Sequence, residues 1–265
     1  MLRILAFFAL LLPASAQAAT LEDVQLLLLR SGLDAAVRQL DLAYDINLRR
    51  QSNTYELSVG QRDQLESAMF VYRGEQLLEE LAQTLVGEFE QQAVQPIKSA
   101  MEHELLEKFR RFERIGNSAG QRQKLEDYVA EATLEPLRID LLRACHEADY
   151  GPIVAAIIQS FAEVDSAVAL DRISGERFTA NDYEGIKLWR SELEGLYAEH
   201  YLTGADPYLA YTYRFVRDEQ LQQYAEIWQD RNVKWFMDTS LLQLRVLLQA
   251  KRQSMIASLD IEQQE

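Results

Sequence analysis

The chain has 265 residues and a formal net charge of −15 at pH 7, with 42 acidic against 27 basic side chains. Nucleic acid is therefore excluded as its main ligand, because phosphate contacts need clustered lysine and arginine. The single cysteine, Cys145, excludes an intramolecular disulfide. We interpret it as a buried small apolar residue rather than a reactive or intermolecularly bridging thiol.

Residues 1–18 have the pattern of a secretory signal peptide. Arg3 precedes an apolar run over 4–12, and small residues follow that run. This order is typical of exported proteins, and the run is shorter than the ~20 residues that a transmembrane helix needs. We predict cleavage after Ala18, with Ala16 at the −3 position, and hence a periplasmic location. A buried N-terminal helix is the alternative.

Apolar residues recur at helical spacing along almost the whole of the remaining chain, and no convincing run of alternating apolar and polar residues predicts a strand. The pattern predicts an all-α fold, either a multi-helix bundle or an array of helical hairpins, preceded by the cleaved signal peptide. The predicted helices cover 21–32, 33–48, 61–92, 97–114, 121–133, 136–149, 152–170, 180–201 and segments that begin at 206, 218 and 232.

Individual residues mark the ends of several predicted helices. Thr20 is a capping residue for the first helix, which ends near Gly32. Pro96 is expected to end or kink the third helix, because proline removes a backbone donor. Thr179 and Asp218 are the expected N-caps of two later helices.

A loop at 116–120 contains two glycines and is the clearest break in the chain. We predict an N-terminal helical half over 19–115 and a C-terminal helical half over 116–265, which are either separate or one continuous domain. No repeat of about 34 or about 40 residues is found, which argues against a helical solenoid.

The sequence contains no pattern that selects catalytic, cofactor-binding or metal-binding residues. The three histidines lie in three different predicted helices, and the best local cluster is the segment 145–149, Cys-His-Glu-Ala-Asp. Adjacent side chains diverge on a helix, so at most two of these could reach one ion. The paired carboxylates of a hydrolase cannot be selected either, since acidic residues occur throughout the chain. We therefore predict no catalytic residue, cofactor or metal.

Basic residues are concentrated in two stretches, 108–124 and 231–252; the first contains six basic residues and a single acidic one, Glu113. We predict a candidate interaction surface formed by the exposed side chains of Lys108, Arg110, Arg111 and Arg114. The inward side of the same helix is predicted to contain Leu105, Phe109 and Phe112. A solvated face, or pairing with the protein's own acidic helix at 74–97, is favoured over an anionic membrane surface.

Aromatic residues are concentrated in the C-terminal part of the chain. Aromatic side chains with polar tips line ligand pockets and protein interfaces, although at helical spacing they also build cores. The candidate ligand or interface aromatics are Tyr208, Tyr211, Tyr224, Trp228 and Trp235.

The segment 213–236 resembles a known family. Tyr213-Arg214-Phe215-Val216-Arg217-Asp218-Glu219-Gln220-Leu221 is followed by Tyr224 and Trp228, and then by Trp235-Phe236. The pattern is similar to that of the exported bacterial proteins grouped as domain of unknown function 2059, in which an aromatic precedes F-[TS]-x-x-E-L, an aromatic pair and a turn with S-P-x-G. The present chain lacks the proline and the glycine of that turn. The resemblance implies a helical fold and export, and it implies no catalytic residue.

From the sequence we predict a non-catalytic periplasmic protein that acts by binding, in envelope maintenance or as an accessory to a larger assembly. Its expected partner is another envelope protein or an amphipathic ligand. One alternative is a carrier of an apolar or amphipathic ligand, which requires an enclosed cavity lined by the C-terminal aromatics. The second alternative is a hydrolase of envelope material, which requires acid and base groups that converge in a cleft.

Overall fold

The computed structural model describes residues 18–116, 118, 120–131, 135–175 and 180–262. Within these ranges it contains α-helices, one 3₁₀ turn at Phe70–Tyr72, and no strand beyond an isolated bridge between Ala18 and Glu90. The predicted all-α fold is therefore confirmed. Residues 1–17 of the predicted signal peptide 1–18 lie outside the described residues, and the signal peptide and its cleavage stay predictions.

The helices are α1 (Leu21–Ser31), α2 (Leu33–Arg38), α3 (Leu40–Ser52), α4 (Val59–Met69), α5 (Gly74–Val86), α6 (Gln91–Met101), α7 (Glu104–Gly116), α8 (Gln121–Glu131), α9 (Pro136–Ala148), α10 (Gly151–Ile173), α11 (Ala180–Gly204), α12 (Asp206–Thr212), α13 (Asp218–Trp228) and α14 (Arg231–Glu262).

Local capping chemistry determines several helix ends. The side chain of Thr20 accepts a hydrogen bond from the backbone N–H of Asp23 at 3.1 Å, as an N-cap does. Gly32 ends α1 with a φ of 82°, in the left-handed region that glycine adopts without strain. Pro136 and Pro152 lie in the first turns of α9 and α10. Backbone N–H groups in a first turn have no acceptor within the helix, so proline costs no hydrogen bond there. The predicted start and end of the first helix are confirmed.

Two long predicted helices are divided in the structure. The helix predicted over 33–48 is broken at Gln39, and the helix predicted over 61–92 is replaced by α4, the 3₁₀ turn and α5. The second break brings the start of α5 against the backbone of α2. A Cβ atom built on Gly74 would lie only 2.6 Å from the carbonyl oxygen of Val37. Tertiary packing thus overrides the continuous helical pattern.

Three other boundary predictions have different outcomes. Pro96 lies inside α6 and does not end the third predicted helix, so that part of the prediction is wrong, and the alternative of a kink stays a prediction. Asp218 is the first residue of α13, and its side chain forms an ion pair with Arg138 instead of an N-cap. Thr179 lies outside the described residues, as does part of the predicted loop at 116–120.

Helix α10 is the central element of the core. It packs against α3, α9, α11 and α14, and buried apolar side chains from Ala19 to Leu259 belong to one cluster. Among the described helices, α10 alone is long and apolar enough to cross a membrane by length and composition, yet 61% of its apolar window is buried inside the protein. This burial is typical of the core helix of a bundle.

Cys145 lies on the buried side of α9, where its side chain is only 2% exposed. Its Sγ donates to the carbonyl oxygen of Leu221 at 3.1 Å. Burial raises the pKa of the thiol to about 12, because the thiolate would lose its hydration. The interpretation of Cys145 as a buried apolar residue is confirmed.

Asp23 connects α1 to α6 and gives the fold a pH-dependent contact. Its carboxylate accepts from the amide of Gln91 at 2.9 Å, from Lys98 at 3.0 Å and from Thr20 at 2.8 Å. These donors lower the pKa of Asp23 to about 2. The folded-state pKa therefore lies below the ordinary value of 3.8, so the stabilisation is fully present above about pH 4 and is lost as the pH falls toward 2.

Replacing Asp23 by asparagine is expected to lower the free energy of unfolding by about 1 kcal/mol at pH 7, since one ion pair and part of a hydrogen-bond network are lost. Urea unfolding of wild type and variant at a series of pH values measures the difference. We expect this difference to shrink between about pH 4 and about pH 2. The exposed Asp63, replaced by asparagine, serves as the control. A difference that stays constant over this range would contradict the assignment.

Candidate functional site

A cavity of about 570 Å³ lies between α2, α3 and α10 on one side and α7, α9, α12 and α13 on the other. The first three helices supply an apolar wall, formed by Leu33, Ala36, Ala43, Val154 and Ile158. Leu42 and Ile46 of α3 also line the cavity, although their side chains are 59% and 54% exposed. The cavity thus opens to solvent beside two apolar side chains.

A second wall of the cavity is aromatic. It is formed by Tyr208 of α12, Tyr213 in the turn that follows, and Tyr224 and Trp228 of α13. The rings of Tyr213 and Tyr224 both pack against Phe109 of α7, with ring centroids 4.9 and 4.1 Å away. Because Phe109 is fully buried, this packing fixes the two tyrosine rings relative to α7.

Each of these two tyrosines donates its hydroxyl to a carboxylate. Tyr213 donates to Glu113 of α7 at 2.5 Å. Tyr224 donates to Asp149, the residue that follows α9, at 3.0 Å. Both carboxylates line the cavity. The aromatic wall therefore ends in a polar region with two acidic side chains.

The short connection between α9 and α10 positions Asp149. Its carboxylate accepts the backbone N–H of Gly151 at 2.9 Å and lies 3.4 Å from Nδ1 of His146. Tyr150, between them, has a φ of 64°, an uncommon conformation for a residue with a side chain. A Cβ atom on Gly151 would lie 2.5 Å from the His146 ring. The connection therefore holds the imidazole and the carboxylate tightly together.

Arg138 of α9 positions the turn that contains Tyr213. Its guanidinium donates to the carbonyl oxygens of Tyr213 and Val216 at 2.9 and 2.6 Å, and it also pairs with Asp218 at the start of α13. Bonds from a charged donor are stronger than those between neutral groups. The backbone that carries the Tyr213 ring is thus attached directly to α9.

Burial changes the ionisation of the Glu113 carboxyl. Desolvation raises its pKa, and the negative charge of Asp149 raises it further. The Tyr213 hydroxyl, His146 and Arg110 act in the opposite direction. Burial also raises the pKa of Tyr213 well above its ordinary value of 10. Glu113 is therefore harder to ionise than an exposed glutamate, while Tyr213 stays a hydrogen-bond donor at neutral pH.

The predicted aromatic residues are divided by the structure. Three of the five line the cavity: Tyr208, Tyr224 and Trp228. Tyr211 is buried elsewhere and donates its hydroxyl to Gln121 at 2.6 Å. Trp235 lies on α14 with its ring edge against Phe89, at a centroid distance of 4.8 Å. Three of the five predicted aromatic residues therefore line the cavity, together with Tyr213, which was not among them.

The predicted basic surface is only partly exposed. Arg111 and Arg114 are exposed, as predicted. Lys108 and Arg110 are half-buried, so the prediction is wrong for both. Lys108 donates to Gln220 of α13 at 3.0 Å, and Arg110 donates to the carbonyl oxygen of Arg30 at the end of α1. Contacts with α13 and with the end of α1 therefore cover part of these two side chains.

The inward side of α7 agrees with the prediction, since Leu105 and Phe109 are buried and Phe112 packs partly buried against the core. The acidic helix, however, pairs with other elements. Glu80 of α5 accepts from Lys251 of α14 at 2.6 Å, so this acidic residue pairs with the second basic stretch and not with the first. Arg114 of the first stretch donates to Glu107 on its own helix at 3.0 Å.

A second and larger cavity, of about 890 Å³, lies between α3, α4 and the 3₁₀ turn. Its lining includes charged side chains that already have partners. Asp41 accepts the backbone N–H of Gly74 at 2.6 Å, and Asp45 pairs with Arg49 at 2.9 Å. Apolar side chains such as Leu48 and Leu65 also line it, but more than half of its lining residues are charged or polar, so it suits an apolar or amphipathic molecule less well than the first cavity does.

Sequence reasoning did not select the acidic residues of the first cavity. Glu113 carried a signal, because it is the single acidic residue of a basic stretch and lies one helical turn after the inward Phe109. His146 and Asp149 belong to the segment 145–149, the best local cluster of metal-ligand residue types in the sequence. Among the described residues, no group of three or more His, Cys, Asp or Glu side chains could hold a metal ion.

No family model, no curated protein and no solved structure matches this chain. The resemblance of the segment 213–236 to the exported family stays a prediction. A fold alone does not imply a function, and the cavity is the feature of this structure that bears on it.

Proposed function

We propose that this protein is an exported, periplasmic binding protein that carries an apolar or amphipathic small molecule in the cavity between α2, α3, α10 and the aromatic wall. The observation that carries the proposal is the cavity of about 570 Å³. Small-molecule sites in proteins have volumes of about 300–1,000 Å³, mostly apolar walls and a few polar groups that fix orientation. This cavity meets all three criteria.

The chemistry of the walls supports an amphipathic ligand. The apolar side chains of α2, α3 and α10 suit an acyl, isoprenoid or ring body, and each buried CH₂ contributes about 0.8 kcal/mol. Glu113 and Asp149 at the far end of the aromatic wall suit a polar head. Leu42 and Ile46 line the cavity and are also exposed to solvent, so an apolar body can enter beside them.

Filling the cavity should weaken ligand binding. Ala36 of α2 lines the cavity, whereas its neighbour Ala35 is exposed on the same helix. We expect Ala36→Trp to weaken the binding of N-phenyl-1-naphthylamine by about tenfold or more, because an indole occupies space that the probe needs, and about 1.4 kcal/mol corresponds to tenfold. The fluorescence increase of the probe on titration with protein gives the affinity.

The matched variant Ala35→Trp should bind the probe like the wild type, since it adds the same indole outside the cavity. Circular dichroism and a thermal scan establish that both variants are folded. Equal binding by wild type and Ala36→Trp, or no binding by the folded wild type at micromolar concentrations, would contradict the proposal.

One observation favours a second candidate function, the hydrolysis of envelope material. Glu113 and Asp149 line the same cavity, and His146 lies beside Asp149. Recovery of the bound molecule distinguishes the two functions. A binding protein returns the molecule chemically unchanged, whereas a hydrolase releases a cleaved product whose formation requires the acidic side chains.

A further inference from the structure

The polar region of the cavity contains more acidic than available basic charge. The charged side chains of the lining are Arg110, Glu113 and Asp149, with His146 as a titratable neighbour. Arg110 donates to a backbone carbonyl at the end of α1, and its guanidinium lies 3.7 Å from the exposed Glu107. Its positive charge is therefore shared with groups outside the cavity, while both carboxylates face the cavity.

Glu113 is the carboxylate with unused hydrogen-bonding capacity. Among the described residues it accepts one hydrogen bond, from Tyr213, whereas a carboxylate can accept about four. Asp149, in contrast, already accepts from Tyr224 and from the N–H of Gly151. Burial raises the pKa of Glu113, and the negative charge of Asp149 raises it further. A positively charged group beside Glu113 would offset this repulsion and favour the ionised carboxylate.

The aromatic wall adds a second kind of cation recognition. Tyrosine and tryptophan rings attract ammonium groups, more strongly where water is excluded. Tyr213, Tyr224 and Trp228 line the cavity next to the carboxylates. Aromatic faces beside carboxylates are the combination that binds alkylated ammonium groups, for which hydrogen bonds alone are insufficient.

Trp228 supports the aromatic wall through Tyr224. Its side chain is 5% exposed, and its ring lies edge-on to Tyr224 with the ring centroids 6.3 Å apart. Burial raises the pKa of Tyr224, whereas the indole N–H of Trp228, which is directed at the same hydroxyl, acts in the opposite direction. Trp228 thus helps to hold the Tyr224 hydroxyl, which donates to Asp149 at 3.0 Å.

We propose that the cavity selects an amphipathic molecule with a cationic head, an alkyl chain that ends in an ammonium group, whose charge lies between the carboxylates of Glu113 and Asp149, beside the aromatic wall. This inference rests on the proposed function, since it names the ligand class for the same cavity. An anionic head is disfavoured, because it would meet two carboxylates and an arginine that is shared with Glu107.

The test compares three ligands with the same ten-carbon chain. Decyltrimethylammonium, decyl sulfate and tetraethylene glycol monodecyl ether are titrated into the full-length protein by calorimetry, each below its micelle concentration. We expect the ammonium compound to bind the wild type about tenfold more tightly than the other two. We expect Glu113→Gln to lose most of this preference while its affinity for the uncharged ether stays within about twofold.

Glu104→Gln is the matched control, because it removes one negative charge from the exposed side of the same helix. It should leave all three affinities unchanged. Retained ether binding by Glu113→Gln shows that the variant is folded with an intact cavity. If the sulfate or the ether binds the wild type as tightly as the ammonium compound, or if Glu113→Gln keeps the preference, the inference is wrong and the proposed function stands. If the wild type binds none of the three, both are wrong.

Discussion

Replacing Asp165 by asparagine should lower the free energy of unfolding by about 3–5 kcal/mol, the largest effect that we expect from a single substitution in this protein. Asp165 of α10 is fully buried and forms an ion pair with Arg252 of α14, which is 5% exposed. Its second oxygen accepts from Tyr44 at 3.0 Å and from Tyr72 at 2.7 Å. Loss of the carboxylate leaves a buried guanidinium without its counter-charge.

Urea unfolding followed by circular dichroism measures this effect, and two further variants test its cause. Asp45→Asn breaks an exposed pair with Arg49 and should change stability by about 0–1 kcal/mol. The double variant Asp165→Leu with Arg252→Met should recover much of the lost stability, because apolar residues that replace both partners leave no charge buried. A loss below about 1 kcal/mol for Asp165→Asn would contradict the buried ion pair.

Gly74→Ala should lower the free energy of unfolding by about 1–3 kcal/mol, although alanine is the better helix former. A Cβ atom at this position would lie 2.6 Å from the carbonyl oxygen of Val37 and 2.8 Å from Cα of Arg38. Both are backbone atoms of α2 that no side-chain rotation can move away. The start of α5 would therefore have to move away from α2.

Gly195→Ala provides the matched control with the opposite sign. Gly195 lies in the middle of α11, and a Cβ atom there meets no described atom within 4 Å. Alanine should stabilise this helix by about 0.5–1 kcal/mol. Thermal unfolding of both variants gives the comparison, and a Gly74→Ala variant as stable as Gly195→Ala would show that α5 and α2 are not in close contact.

The helical segments could be predicted from the sequence, because their determinants lie within one or two turns. The Thr20 cap, the Gly32 terminator and the prolines in the first turns of α9 and α10 act on neighbouring backbone groups, and the cap and the terminator are in the predicted places. The breaks at Gln39 and before Gly74 were not predictable in this way. They satisfy the packing of α5 against α2, which the local apolar pattern does not contain.

The candidate site was predictable only in part. The aromatic residues of the C-terminal part were recognised from their density, and three of them line the cavity. Glu113 and Asp149 could not be identified as cavity residues from the sequence. The chain has 42 acidic residues, and their spacing does not show which of them are buried. Tyr211 and Trp235 have the same side-chain chemistry as the cavity residues but lie elsewhere.

The sequence by itself determined the helical class, the acidity and the export signal that we predict at the N-terminus, since each depends on composition or on residues adjacent in the chain. Only the tertiary structure decided that Asp165 meets Arg252 and that Glu113 meets Tyr213. These pairs join residues far apart in the chain. The free energy of a buried charge depends on how much water all the surrounding helices remove from it. A local sequence pattern does not contain this information.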